Sequence, residues 1–288
     1  MNLKSKKILV TGGAGFIGSH LVDQLIELGV NRVRVADNLS SGKLKNINPH
    51  VKSKNIEFIK GDLRNSVFCA KAVKNIDVVF HLAADHGGRG YVDLHQAACA
   101  VNLQLDGTVF WEARKAKVEK IVFASSGCVY PNFLQSNIRE KLYLKEDMVK
   151  SPYDSDNLYG WAKLMGELTL KAYYKDWGIK TASCRFFTVY GERGKEDHAI
   201  IAIIARAFIK QNPFIVWGNG QQIRNWTYVK DIVRGMILTA EKIDNGTAVN
   251  LGTTERIKVI DAVKETMKYT GFKAKLESES INYDETLA

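Results

Sequence analysis

The run TGGAGFIG at 11–18 constrains this chain more than any other stretch. It follows the apolar segment KKILV. It opens a stretch in which Phe16, Ile17, Leu21, Leu25 and Leu28 recur at helical spacing, and Gly29 stops that helix. A strand, a glycine turn and an apolar-faced helix in this order form the first half of a βαβ unit. In such a turn Gly12 permits the bend, Gly15 lets backbone approach a pyrophosphate, and Gly18 allows close helix packing. The helix start, with Phe16 and Ile17 at its edge, offers free N–H groups and the positive end of a dipole, so the loop is expected to hold a dinucleotide phosphate. Asp37 closes the next strand, RVRVAD, with Asn38 beside it, and is placed to accept from ribose hydroxyls. Its charge repels a 2′-phosphate, so the expected cofactor is NAD and not NADP.

The rest of the chain continues the rhythm. IEFIKGD, DVVFHLAA, KIVFASS and TASCRFF read as further strands, with helices over 66–74, 94–116 and 158–177 between them. Strands separated by helices imply an α/β fold, a doubly wound parallel sheet (Rossmann) with a smaller C-terminal substrate-binding lobe. Residues 1–180 are expected to form the sheet domain, with 181–190 and about 226–250 returning to it, and 191–288 mostly the lobe. That lobe is read as a helix over 197–210, then PFIVWGNG, then RNWTYVKDIVRGMILTAE as a turn followed by a helix. ESESINYDETLA carries no helix or strand signal. Asp62 and Leu63, just past the third strand, are expected to meet the adenine. Leu82, Ala83 and Ala84 are expected to let the cofactor pass close to the end of the fourth.

Composition removes other classes. At 288 residues, 45% hydrophobic and 25% charged, the chain is an ordinary globular one, and no apolar run approaches the roughly 20 residues that cross a bilayer. The start, MNLKSKKILV, reads as a strand and not as a signal peptide. Cys69, Cys99, Cys128 and Cys184 show no CxxC spacing, which implies a reducing, cytoplasmic setting without disulfides or a metal site. The formal charge of +10 comes from scattered lysines and no RNA or DNA motif, so an anionic small ligand is expected and no nucleic acid.

YGWAK at 159–163 places Tyr159 and Lys163 four apart, on one helix face. A nearby ammonium stabilises phenolate and is expected to lower the tyrosine pKa, so Tyr159 can take a proton from a hydroxyl that Ser126 holds. Together with TGGAGFIGSHL, DN at 37–38, GDL at 61–63, HLAA at 81–84 and GNGQQIRNWTYVKDIV, this set resembles the extended short-chain dehydrogenase/reductases, the nucleotide-sugar epimerases and dehydratases, over nearly the whole length. The resemblance implies bound NAD, a nucleoside-diphosphate sugar oxidised transiently at carbon 4, and a homodimer formed through helices such as 94–116 and 158–177. It implies that Arg224 meets the substrate diphosphate, with Arg206 and Gln222 in the same substrate set. Relatives also continue past the position of Ala288 with a further substrate arginine and a final helix.

Finer motifs point in three directions. AADHGGRGY and SSGCVYP resemble GDP-mannose 3,5-epimerase, which makes Gly88, Gly90, Gly127 and Cys128 substrate neighbours. Cys128 with His198 resembles the acid/base pair of GDP-fucose synthase, and RFFTVYG, with Thr188 near the diphosphate, resembles UDP-glucuronate 4-epimerases. The leading expectation is 3- and/or 5-epimerisation of a GDP-mannose-like sugar through Cys128 and His198. The alternative is a UDP-sugar 4-epimerase that needs only Ser126, Tyr159 and Lys163. A non-catalytic NAD- or RNA-binding protein of the same fold is the distant third. His86 and Arg89 are further candidates for the sugar pocket, and His20, His50 and His95 are read as structural.

Overall fold

In a computed structural model, residues 1–135, 142–195 and 198–279 are described. The chain forms two compact units, Met1–Phe187 with Val229–Leu251, and Thr188–Tyr228 with the described residues from Gly252 on. The first runs β1 (Lys7–Thr11), α1 (Phe16–Glu27), β2 (Arg32–Asp37), α2 (Asn48–Lys52), β3 (Ile56–Lys60), α3 (Ser66–Val73) and β4 (Val78–His81). It continues through α4 (Arg89–Leu94), α5 (Gln96–Lys115), β5 (Lys120–Ser126), α6 (Asn132–Gln135), α7 (Asn157–Trp177) and β6 (Lys180–Phe186). The second unit holds β7 (Thr188–Tyr190), α8 (Ala199–Phe208), β8 (Phe214–Trp217), β9 (Ile223–Arg224) and β10 (Trp226–Tyr228). The chain then returns to the first unit for α9 (Val229–Lys242) and β11 (Asn245–Leu251), and ends with β12 (Ile257–Lys258), α10 (Val259–Thr270) and β13 (Leu276–Glu279) in the second.

The first unit is one seven-stranded sheet in the order β11-β6-β5-β4-β1-β2-β3, with every pairing parallel. Its central strands are buried along Ile8–Thr11 and Val78–His81, as ILVT and VVFH require when helices cover both faces. The strand order reverses between β1 and β4, so a crevice opens outside their carboxyl ends, where Thr11 stands opposite His81. The core under α3 and α5 gathers Leu9, Val79, Val109, Phe110, Ile121 and Phe123.

Three details differ from the sequence reading. The expected 94–116 helix is α5, and a short helix the sequence reading did not expect, α4, precedes it, with His95 (φ −117°, ψ 51°) leaving helical geometry between them. The turn before α9 is built as β9 and β10. The seventh strand, β11, has no expected counterpart, since NGTAVNL shows little apolar run and becomes a strand only by pairing with β6. The start of the expected 197–210 helix lies partly outside the described residues.

Candidate active site

The glycine loop has the shape a pyrophosphate needs. Gly12 sits at φ +67°, and a Cβ there would lie 2.8 Å from the Ala83 nitrogen, so the loop passes directly against the end of β4. A Cβ on Gly18 would overlap the Gly12 carbonyl oxygen and approach the Gly13 Cα to 2.8 Å. Gly15 begins α1 with no side-chain cap and no acidic residue in the first turn, so the amides at the helix start stay available to an anion. Asp37 is buried, and its carboxylate accepts from Ala14 N (3.0 Å) and Leu39 N (2.8 Å). Each oxygen has lone-pair capacity left for ribose hydroxyls, as a dinucleotide requires.

Around this cradle the expected residues behave differently. Asp62 is engaged by Arg64, whose Nε lies 2.9 and 3.0 Å from its two oxygens. That hydrogen bond holds its carboxyl below the ordinary carboxylate range. Leu63 is buried in the core, which leaves its backbone for a ligand. Leu82 and Ala83 donate their N–H groups to Thr11 Oγ1, both at 3.1 Å, and Ala84 is half-buried. Gly88 and Gly90 border open space, and His86 is exposed.

Ser126 ends β5, and its hydroxyl accepts the Cys128 N–H at 3.1 Å. That bond starts the 3-10 turn Gly127–Val129. A Cβ on Gly160 would collide with the Cys128 carbonyl and come within 3.3 Å of the Cys128 Cβ. Helix α7 therefore packs directly on this turn and brings Tyr159 to Ser126, which hydrogen-bonds the phenol and favours its charged form. Lys163, one turn on, is 1% exposed, with Nζ 5.9 Å from the Tyr159 ring centre and 4.5 Å from that of Phe123.

The expected lowering of the tyrosine pKa is not what this pocket does. Burial dominates and pushes Tyr159 up, and Cys128, Asp106 and Cys99 add to the shift. Burial likewise pulls Lys163 down from the usual ammonium range, against the attraction of Asp106. Cys69, Cys99 and Cys184 are fully buried, whereas Cys128 is half-exposed. Burial pushes the Cys69 and Cys184 thiols up to about 12.

Several positioning residues escape sequence reasoning. Asn102 accepts the Asp85 N–H (2.7 Å) and donates to the Asp85 carbonyl (2.8 Å), so it pins the AAD segment. Tyr91 donates to Asp85 at 2.8 Å, and that bond pushes its phenol up to about 12. Gln96 accepts from Leu158 N, and Asn157 donates to Asp93, which ties the start of α7 to α4 and α5. Asn157, directly before the YGWAK run, accepts from Tyr159 N at 3.1 Å, and a cap-type residue at that point is a signal the sequence does carry.

Of the other expected residues, Thr188, His198, Arg206, Gln222 and Arg224 belong to the second unit, and the histidines read as structural to the first. Thr188 pairs with Trp226 in the β7–β10 ladder. His198 precedes α8 without capping it through its side chain. Arg206 donates to the Ile215 carbonyl at 3.1 Å, and Arg224, exposed on β9, donates to Ile223. Gln222 lies beside Gly218, where a Cβ would strike its amide. His50 pairs with Asp23 at 2.7 Å, and the His95 ring lies 4.5 Å from that of Tyr91. Among the described residues no helix is long and apolar enough to cross a membrane.

Comparison with known proteins gives the family and the fold likeness of the chain. The model of the NAD dependent epimerase/dehydratase family matches residues 8–252. An uncharacterised UDP-glucose epimerase of Bacillus subtilis is 35% identical over 277 residues, covering 94% of this chain and 84% of its own. GDP-mannose 3,5-epimerase 1 of Oryza sativa subsp. indica is 31% identical over 258 residues, covering 88% of this chain and 66% of its own. The crystal structure of UDP-glucose 4-epimerase from Thermotoga maritima with UDP-glucose superposes with a TM-score of 0.84 at 29% identity, over 96% of this chain and 87% of that one.

Proposed function

The chain belongs to the NAD dependent epimerase/dehydratase family, and on that premise we propose that it epimerises a nucleoside-diphosphate sugar at carbon 3 and/or 5 through a 4-keto intermediate. NAD, when bound, supplies a reversible acceptor for the hydride of the carbinol carbon. The glycine loop, the start of α1 and Asp37 would hold it. Ser126 orients the sugar hydroxyl, and Tyr159 takes its proton as the ketone forms. Lys163 supports the phenolate electrostatically. The ketone acidifies the hydrogens on the neighbouring carbons. Cys128, as thiolate, removes one of them, and a second acid returns a proton to the opposite face, the role given to His198. Reversal of the first step leaves the cofactor as it began.

One observation carries the sharp form: Cys128 alone among the four cysteines is open to a ligand, and it stands on the same turn as Ser126 and against α7. A substrate resembling GDP-mannose is the proposed fit, on the AADHGGRGY and SSGCVYP segments. The second reading, a UDP-sugar 4-epimerase, is favoured by the relatives described as UDP-glucose epimerases.

Incubation with a panel of nucleotide sugars in deuterated water separates the two. Solvent deuterium is expected at carbon 3 or 5. Cys128→Ala is expected to slow that exchange by about 10²–10⁴-fold while oxidation at carbon 4 persists. A Cys128→Ala protein with native turnover and bare inversion at carbon 4 would select the second reading.

The lobe from Thr188 on is the proposed carrier of the substrate nucleotide, through Arg224, Arg206 and Gln222. For the homodimer we propose α5 and α7, where Leu103, Trp111, Trp161, Met165 and Trp177 are each more than a third exposed. Arg114 lies over the Trp111 and Trp177 rings at 5.1 and 3.9 Å, which stiffens this face. Sedimentation is expected to show a dimer that Trp161→Glu converts to monomer. An unchanged sedimentation coefficient in that variant would reject this surface.

A further inference from the structure

A second layer of buried polar groups lies beneath the Tyr159–Lys163 pair, and its hydrogen bonds can be assigned by counting donors. Thr11 Oγ1 accepts two N–H groups, from Leu82 and Ala83, so its own proton is left to donate to His81 Nδ1 at 2.7 Å. The His81 proton therefore sits on Nε2, which donates to Asp106 Oδ1 at 3.0 Å. Burial holds His81 below the usual imidazole range, so the ring is neutral and does not cancel the charge of Asp106.

The other Asp106 oxygen, Oδ2, has no hydrogen-bond partner among the described residues although it is fully buried. It lies against α7: a Cβ on Gly166 would be 3.5 Å from it. Lys163 is one turn earlier on that helix face. The Phe123 ring joins the two sites, since it would meet a Gly166 Cβ at 2.6 Å, stacks with His81 at 5.9 Å, and has Lys163 Nζ 4.5 Å from its centre. A buried carboxylate with one oxygen undonated and a buried cation without an ion pair among the described residues thus share one apolar-walled pocket. Neither charge is tolerable there alone.

We propose that Asp106 is a positioning residue for Lys163: its carboxylate, pinned by His81 and lying against Gly166, is the counter-charge that keeps the Lys163 ammonium charged and in place beside Tyr159. The charged and titratable groups around this pair are few. Asp106 and Cys99 come from α5, neutral His81 from β4, Cys128 from the turn after Ser126, and Tyr159 from α7 itself. The carboxylate acts on Tyr159 in two opposed ways. Directly it disfavours the phenolate, and through Lys163 it preserves the cation that favours it. The proposal is that the second effect wins.

It rests on the reading of Tyr159 and Lys163 as a proton relay, so Lys163→Met is measured in parallel. The experiment is the pH profile of kcat/KM for the NAD-loaded protein and its Asp106→Asn variant. Without the carboxylate, Lys163 loses its proton at lower pH. The alkaline limb is expected to move down by about one unit or more, with activity there falling about ten-fold and KM for the sugar unchanged. A coincident profile, a limb moved upward, or a uniform loss with the limb in place would each overturn the proposal. If Asp106→Asn does not fold, the native holoenzyme decides: the Lys163 ¹⁵Nζ resonance, assigned by its absence in Lys163→Arg, is expected to keep its ammonium shift at neutral pH. Deprotonation of Lys163 at neutral pH would overturn the proposal. Native turnover in Lys163→Met would overturn the relay itself, a different failure from that of Asp106.

Discussion

Tyr159→Phe is expected to lower turnover by about 10³-fold, within the range that a positioned acid/base group contributes. The variant keeps the ring that packs beside Ser126 and removes only the oxygen, so NAD content should match the native protein. Loss of turnover with full cofactor is the expected signature, and native-like turnover would remove Tyr159 from the chemistry. The same substitution has a second readout in stability. Burial raises the Tyr159 pKa above its ordinary 10.0, so the folded chain holds the proton more tightly than the unfolded one. Stability from this group is complete below pH 10 and lost as pH rises above it. Melting curves of the native protein should therefore decline in alkaline solution more steeply than those of Tyr159→Phe. Parallel declines would mean that the phenol is not buried as described.

Glu167→Ala is expected to have the largest effect on stability. Glu167 and Arg185 are both buried and paired at 2.8 and 2.9 Å, and the remaining guanidinium donor reaches Tyr130 Oη and the Glu146 carbonyl. Tyr130 donates in turn to Asn250, and Ser125, beside Ser126, donates to Glu167 at 2.5 Å. One carboxylate thus joins α7, β5, β6 and β11. Burial works against the Arg185 charge, and Glu167 outweighs it. Removing Glu167 leaves a buried guanidinium with neutral acceptors only, at a cost of about 3–5 kcal/mol. For a protein of this size that is a fall in Tm of roughly 10 °C. The double variant Glu167→Leu, Arg185→Met should recover most of it, because no unpaired charge remains. Calorimetry checks both, and a single variant that melts within about 2 °C of native would show that the pair carries no such burden.

The sites that were legible in the sequence are those set by neighbours along the chain. Gly12, Gly15 and Gly18 read as a phosphate loop because strand, turn and helix are contiguous, and Tyr159 and Lys163 share a face because residues four apart on a helix do. β11 was not legible, since its residues are ordinary until β6 lies alongside. Nor was the short helix α4, whose six residues are too few to show a helical period. Asn102 and Gln96 look like plain polar residues on a helix. Their hydrogen bonds join segments that meet only when the sheet is wound.

The sequence by itself determined the chemistry available: a dinucleotide cradle, a serine, a tyrosine and a lysine in strand-end and helix positions, and a cysteine two places after the serine. Those are matters of residue type and local periodicity. The tertiary structure alone decided which of those groups are charged and which can be touched. It sealed three cysteines and left Cys128 open, raised Tyr159 where local spacing suggested the opposite, and set Asp106 against α7 near Lys163. Charge in a protein depends on burial and on distances between remote segments, and neither is written in the order of residues along one helix.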